Sequence, residues 1–194
     1  MSHWEKCYQD GDTHWDRGAP SPPLAQYISE HPIGGLVLVP GCGTGHDAAF
    51  LAEQGADVTG LDIAPTAVER ASANYPELAG RFVEGDLFDL PQTWNGRFDH
   101  VVEHTCFCAI PPAMREAYCS AVHRVLRPEG TLIGVWFINP ELDPGHEGPP
   151  FPSAPEELDQ IFGQHFDLVT DYIPDTAYPG REGRERVRVW KKRG

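Results

Sequence analysis

Basic residues are scarce in this chain. Lysine and arginine total 15 against 29 aspartates and glutamates, a formal net charge of −14 with a pI near 4.9. No basic face is left to neutralise a phosphate backbone, so nucleic acid is excluded as the partner. A small anion entering a locally positive pocket is not. Long apolar runs are missing too. No segment approaches the roughly twenty residues of a membrane span, and the N-terminus carries no basic-then-apolar signal region. A cytoplasmic protein that does not enter the membrane is expected. The five cysteines (Cys7, Cys42, Cys106, Cys108 and Cys119) contain no C-x-x-C pair. Neither a metal site nor a disulfide framework is expected, and the cysteines read as buried or lining residues. No Ser–His–Asp pattern and no paired carboxylates suggest hydrolysis. Repeats and low-complexity tracts are absent, and 194 residues suffice for one domain with a substantial core. The expected assembly is a monomer or weak homodimer.

What is present is concentrated in one stretch, Leu36-Val37-Leu38-Val39-Pro40-Gly41-Cys42-Gly43-Thr44-Gly45-His46-Asp47. Four apolar residues read as a short buried strand. Alternating glycines break it, and the apolar period resumes as a helix through Ala48, Ala49, Leu51 and Ala52. Glycine serves where backbone must turn sharply and approach a ligand without a Cβ in the way. The following helix points unpaired N–H groups and partial positive charge at whatever lies over the loop. Such a turn marks a nucleotide-cofactor site at the carboxyl end of the first strand of an open sheet.

The rest of the chain alternates strand and helix. Strands are predicted near 36–40, 57–62, 80–84, 98–103 and 130–137, and helices near 46–55, 64–75, 111–127 and 154–163. A terminal antiparallel pair is predicted over 166–174 and 184–192. The expected fold is α/β: a doubly wound, Rossmann-like sheet, mostly parallel, forming a single domain over 1–194. Residues 1–20, aromatic and polar and interrupted by Gly and Pro, read as a cap outside the core, and 1–30 as an N-terminal lid. Ser21 is the expected N-cap of a helix opening at Pro22. Residues 139–153 form a proline-rich loop long enough to cover a site.

Asp62 ends the second strand about twenty residues after the glycine loop, where a carboxylate accepts both hydroxyls of a ribose. The lesser reading is a helix cap for the run from Ala64, and the two roles are compatible. Asp86, after the third strand, can accept from an adenine amino group while Leu87 frames the ring; an ordinary turn is the alternative. Glu103 closes the fourth strand. The G-x-G-x-G spacing of Gly41, Gly43 and Gly45 resembles the S-adenosylmethionine (SAM) loop of class I methyltransferases, since a dinucleotide fingerprint would place its third glycine at His46.

A narrower resemblance follows. Val39-Pro40-Gly41-Cys42-Gly43-Thr44-Gly45-His46-Asp47 and Gly60-Leu61-Asp62-Ile63 resemble the thiopurine methyltransferase superfamily, which includes the halide/thiol methyltransferases. Glu103-His104-Thr105-Cys106-Phe107-Cys108-Ala109-Ile110-Pro111-Pro112 with Arg115 is similar to its fourth-strand signature, and Gly148-Pro149-Pro150-Phe151 to its late substrate loop. Trp4-Glu5-Lys6 and Trp15-Asp16-Arg17-Gly18 resemble the halide/thiol branch. The resemblance implies SAM as cofactor and a small soft nucleophile as acceptor. It places Trp15, Gly41, Cys42, Gly43, Gly45, Asp62, Ile63, Asp86, Leu87 and Glu103 at the cofactor. Trp4, Trp15, His104, Phe107, Arg115 and Phe151 would lie at the acceptor. Two positions depart from the pattern. Glu103-His104 stands where the family commonly has aspartate and tyrosine, and Phe151 replaces a frequent tyrosine. His104 is then either a base for a neutral thiol or a residue that merely satisfies a strand end. The competing functions are an aromatic-thiol methyltransferase, a SAM-binding protein without turnover, and a nicotinamide enzyme.

Overall fold

A computed structural model describes residues 2–138, 140, 145 and 148–194. Seven strands form one sheet in the order β3-β2-β1-β4-β5-β7-β6. They are β1 (Leu36–Pro40), β2 (Asp57–Asp62), β3 (Phe82–Glu84), β4 (Phe98–His104), β5 (Leu126–Phe137), β6 (Phe166–Tyr172) and β7 (Glu185–Lys192). The first five run parallel; β7 is antiparallel to both β5 and β6. Among the described residues six α-helices accompany the sheet: α1 (His3–Asp10), α2 (Pro22–Glu30), α3 (His46–Glu53), α4 (Pro65–Asn74), α5 (Arg115–Val125) and α6 (Pro155–Phe162).

Period-two alternation divides the strand side chains between two cores. On β1, Val37 and Val39 join Leu24, Ile28, Leu51 and Ala71 beneath α2, α3 and α4. Leu38 between them joins Tyr118, Val122, Leu158 and Phe162 beneath α5 and α6. The second core is aromatic: Phe107, Tyr118, Trp136 and Phe162 meet edge-on or tilted at 5.1–6.3 Å. Such pairs contribute about 0.5–1.5 kcal/mol each beyond area burial. The strand order reverses direction on either side of β1, so a crevice opens where the carboxyl ends of β1 and β4 diverge.

The doubly wound sheet and its terminal antiparallel pair are as expected, and the deviations have local causes. The helix expected over 111–127 begins only at Arg115, because Pro111 and Pro112 hold the preceding residues in a 3₁₀ turn. The third strand shortens to Phe82–Glu84 behind another such turn, Pro76–Arg81. Ser21 does not cap α2 with its side chain; its amide donates to Asp47 Oδ1 at 2.7 Å. The N-terminal segment departs furthest. It holds helix α1, capped by Ser2 Oγ accepting from Glu5 N at 3.1 Å and ended by Gly11. Trp4 and Tyr8, one turn apart, give this helix an apolar face, and Tyr8 is buried. Part of the expected covering loop, residues 139, 141–144, 146 and 147, lies outside the described residues. Among the described residues no helix is long and apolar enough to cross a membrane.

Candidate active site

β1 delivers the chain to Gly41 at φ +60°, a conformation that costs an L side chain. A Cβ there would sit 2.9 Å from Cys106 Sγ, so the loop nests against the turn after β4 only as glycine. At Gly45 (φ +92°) a Cβ would meet the Phe82 ring at 2.9 Å and the Ala71 methyl at 3.1 Å. The loop then feeds α3, whose first amides lie toward the crevice.

Asp62, at the end of β2, faces this loop. Its Oδ2 accepts from Gly43 N and its Oδ1 from Ala64 N, both at 2.9 Å. The two readings of Asp62 are therefore compatible: it caps the approach to α4 and still lines the cavity. Burial raises its pKa, partly against the amides of Ala64 and Gly43. Ile63 beside it is 41% exposed, and with Leu87 it borders the same cavity. Asp86 stands at the rim, its Oδ1 accepting from Phe88 N at 2.8 Å.

The N-terminal segment forms the opposite wall. Trp4 and Trp15 meet edge to face at 5.3 Å, and Trp15 Nε1 donates to Tyr8 Oη at 3.3 Å. The lid is pinned at both ends. Glu5 accepts from Thr66 N (3.0 Å) and Thr66 Oγ1 (2.7 Å) at the start of α4, and Arg70 Nη2 donates to Tyr8 O at 2.6 Å. Asp16 accepts from Thr44 Oγ1 at 2.6 Å inside the glycine loop and lies 3.2 Å from His46 Nε2.

The far end is built on β4. Thr105, the residue after the strand, has φ +61°, a genuine outlier for a β-branched residue. This kink turns the amides of Cys106 and Phe107 back onto Glu103 Oε1, each at 3.0 Å. It leaves His104 facing the cavity. His104 Nδ1 lies 2.8 Å from Asp47 Oδ2, and its Nε2 lies 3.4 Å from Arg181 Nη1 and 3.9 Å from Glu185 Oε1. Arg181 also pairs with Glu185 at 3.0 Å, and Tyr178 stacks on the imidazole at 6.0 Å. Burial disfavours the imidazolium, but the Asp47 carboxylate outweighs it, and His104 titrates above its ordinary range. Cys106 and Cys108 line this end as free thiols, and Cys42 lines the cavity from the glycine loop; burial pushes Cys108 up to about 12.

The cavity enclosed by these elements measures ≈ 750 Å³. Trp4, Trp15, Gly41, Cys42, Gly43, Asp62, Ile63, Asp86, Leu87 and His104 all line it. Five expected site residues do not. Gly45 is packed beneath the loop. Phe107 is the hub of the aromatic core. Arg115, 2% exposed, lies over the Phe107 ring and bonds Glu157 Oε1 (2.6 Å), Phe151 O (3.2 Å) and Pro152 O (3.0 Å). Phe151 takes its place through its backbone, its amide donating to Cys108 O at 2.7 Å. Arg115 thus supports the acceptor loop from behind.

Glu103 is the fifth. It is 1% exposed, its Oε2 has no partner among the described residues, and burial raises its pKa to about 7 despite the Phe107 and Cys106 amides. Between the ordinary carboxylate range and about pH 7 the native state holds a proton that the unfolded chain has released, so this group costs stability as pH rises through that window. Glu103→Gln keeps the acceptor and removes the titration. Its melting temperature relative to wild type is expected to rise from pH 5 to 7 and level off above. A pH-independent difference would contradict this.

Tyr8, Asp16, Asp47, Tyr178 and Arg181 are site residues that sequence reasoning missed. Asp16 and Asp47 sat inside quoted motifs without an assigned role, and the four-residue spacings Trp4 to Tyr8 and Arg181 to Glu185 were the signals for two of the others.

The sequence profile of the thiopurine S-methyltransferase (TPMT) family matches residues 1–192. The chain belongs to the thiopurine S-methyltransferase family. It is similar to thiocyanate methyltransferase 1 of Brassica oleracea, at 34% identity over 97% of this chain and 84% of that protein. Similarity to a probable thiol methyltransferase 2 of Arabidopsis thaliana is 33%, with the same coverage. The fold is shared with the 1,6-didemethyltoxoflavin-N1-methyltransferase of Burkholderia thailandensis, solved with S-adenosylhomocysteine (TM-score 0.74, 23% identity, 98% and 86% of the two chains). This TPMT-family protein is a SAM-dependent methyltransferase. The cavity's donor set fits that cofactor: a glycine loop and helix amides for a carboxylate, Asp62 for ribose hydroxyls, and Ile63 and Leu87 for a purine face.

Proposed function

We propose that the chain transfers the SAM methyl group to a small soft nucleophile, with a thiol or hydrosulfide preferred and thiocyanate or halide accepted. The observation that carries this reading is the composition of the acceptor end. The cavity is walled by Trp4 and Trp15, lined by sulfur at Cys106 and Cys108, and bordered by the Arg181 guanidinium and the His104 imidazole. The relatives named for thiol and thiocyanate methylation support it. The net charge of −14 speaks for a small molecule over nucleic acid, and five free cysteines fit the reducing cytoplasm.

Bound SAM supplies an electrophilic methyl on a cationic sulfur. The protein's own contribution is arrangement. Asp62 and the glycine-loop amides fix the cofactor; the indoles attract a sulfonium by about 0.5–2 kcal/mol and exclude water. Arg181, paired with Glu185, offers N–H donors to an acceptor at the far end. Holding two reactants in line supplies roughly 7–11 kcal/mol of the barrier without further chemistry.

Competition decides the acceptor class. Equal concentrations of hydrosulfide, 2-mercaptoethanol, thiocyanate, iodide, thiophenol and a thiopurine are offered with SAM, and products are separated by mass spectrometry. Small thioethers are expected to dominate; predominance of the aromatic products would contradict the small-acceptor reading.

A further inference from the structure

We infer that His104, held by Asp47, is the base that takes the proton of a neutral thiol acceptor. This rests on the proposed thiol reading. The Asp47 carboxylate at 2.8 Å fixes the proton on Nδ1 and leaves Nε2 as the basic nitrogen, with Arg181 Nη1 in a long contact at 3.4 Å that an acceptor thiol would displace and Glu185 Oε1 at 3.9 Å. Asp47 is itself oriented, because its other oxygen accepts from Ser21 N at 2.7 Å, and Tyr178 stacks on the imidazole while donating to Ala19 O. His104 lines the cavity beside Thr105 and Cys106, so an acceptor sulfur in this end lies against it.

The charges around the ring suit this task. Four groups are packed together from three elements: Asp47 from α3, His104 from β4, and Arg181 and Glu185 at the entry to β7. With His104 neutral the set carries one net negative charge. With His104 protonated it is balanced, two carboxylates against two cations. Glu103, adjacent on β4, turns away from the ring to the amides behind it, and His46 contacts Asp16. Proton uptake therefore completes a charge balance that burial otherwise penalises. The elevated basicity of His104 narrows the gap to an aliphatic thiol. Arg181 remains beside the sulfur to hold the thiolate.

In the step itself the S–H bond breaks and the proton goes to Nε2. The freed sulfur electron pair forms the new S–CH₃ bond while the bond from methyl to the cofactor sulfur breaks. That bond's electron pair stays on the departing thioether. The products are a methyl thioether, S-adenosylhomocysteine and an imidazolium that returns its proton to solvent.

The test compares His104→Gln with wild type on acceptors that do and do not carry a proton. At pH 7, kcat/KM for 2-mercaptoethanol is expected to fall by about 10²-fold, the lower end of general-base contributions. For thiocyanate and iodide the change is expected to be no more than about 3-fold. As pH rises from 7 to 9 the variant's rate with 2-mercaptoethanol should climb in step with the thiolate fraction and approach wild type. An equal loss for proton-bearing and proton-free acceptors, or a variant rate that stays low at pH 9, would overturn the inference. So would wild-type turnover confined to thiocyanate and iodide, which leaves the small-nucleophile reading standing. If wild type methylates none of them, that reading fails instead.

Discussion

Asp62→Ala is expected to weaken S-adenosylhomocysteine binding by at least about 100-fold. A carboxylate that accepts two ribose hydroxyls contributes roughly 1.5 kcal/mol or more per charged hydrogen bond, and about 1.4 kcal/mol is a factor of ten. Alanine also releases Gly43 N and Ala64 N, the two amides that hold the glycine loop to β2. The loss therefore combines missing acceptors with a loosened loop. Asp62→Asn separates the two: one amide oxygen still accepts, the charge is gone, and an intermediate affinity is expected. Isothermal titration of S-adenosylhomocysteine into each variant is the measurement. Wild-type affinity in Asp62→Ala would mean that Asp62 is a loop cap only.

The second large effect falls on folding. Arg115→Met is expected to destabilise the protein by about 2–4 kcal/mol, since it strips a buried guanidinium from two backbone carbonyls and a carboxylate. For a chain of this size that lowers the melting temperature by roughly 5–15 °C. Methionine keeps much of the side-chain volume over the Phe107 ring, so the cost is electrostatic rather than a cavity. Below the transition, KM for small thiols should stay within about 3-fold of wild type, because Arg115 does not reach the cavity and supports the 151–152 backbone from behind. An unchanged melting temperature with a large rise in KM would return Arg115 to the acceptor site.

The contrast between Asp62 and Arg115 shows what was legible in the sequence. The glycine-loop end of the cavity was readable because its geometry lies in backbone and strand ends. Glycines at alternate positions and an acidic residue closing β2 leave few geometries. The alternation of Val37, Leu38 and Val39 likewise determined both faces of β1. The acceptor end was not readable in the same way. Phe107 and Arg115 follow β4 closely in sequence, yet the left-handed Thr105 turns the chain and sends both into the core. No local spacing announces that a threonine will adopt this conformation. Asp47, Arg181 and Glu185 meet His104 across separations of 57 to 81 residues. Only the folded sheet brings them together. Helix α1 was hidden for another reason: its propensity is ordinary, and its stability comes from Glu5 accepting from Thr66 of α4 and from Arg70 of α4 donating back to Tyr8 O.

The most direct test of the account is isotope transfer. Protein, SAM carrying a trideuterated methyl group, and hydrosulfide or a small thiol are sealed together, and the headspace is read by mass spectrometry. The account predicts trideuterated methanethiol from hydrosulfide, or a methyl thioether from the thiol, heavier by three mass units and formed together with an equal amount of S-adenosylhomocysteine. S-adenosylhomocysteine binding without any labelled product, across thiols, thiocyanate and iodide alike, would contradict it.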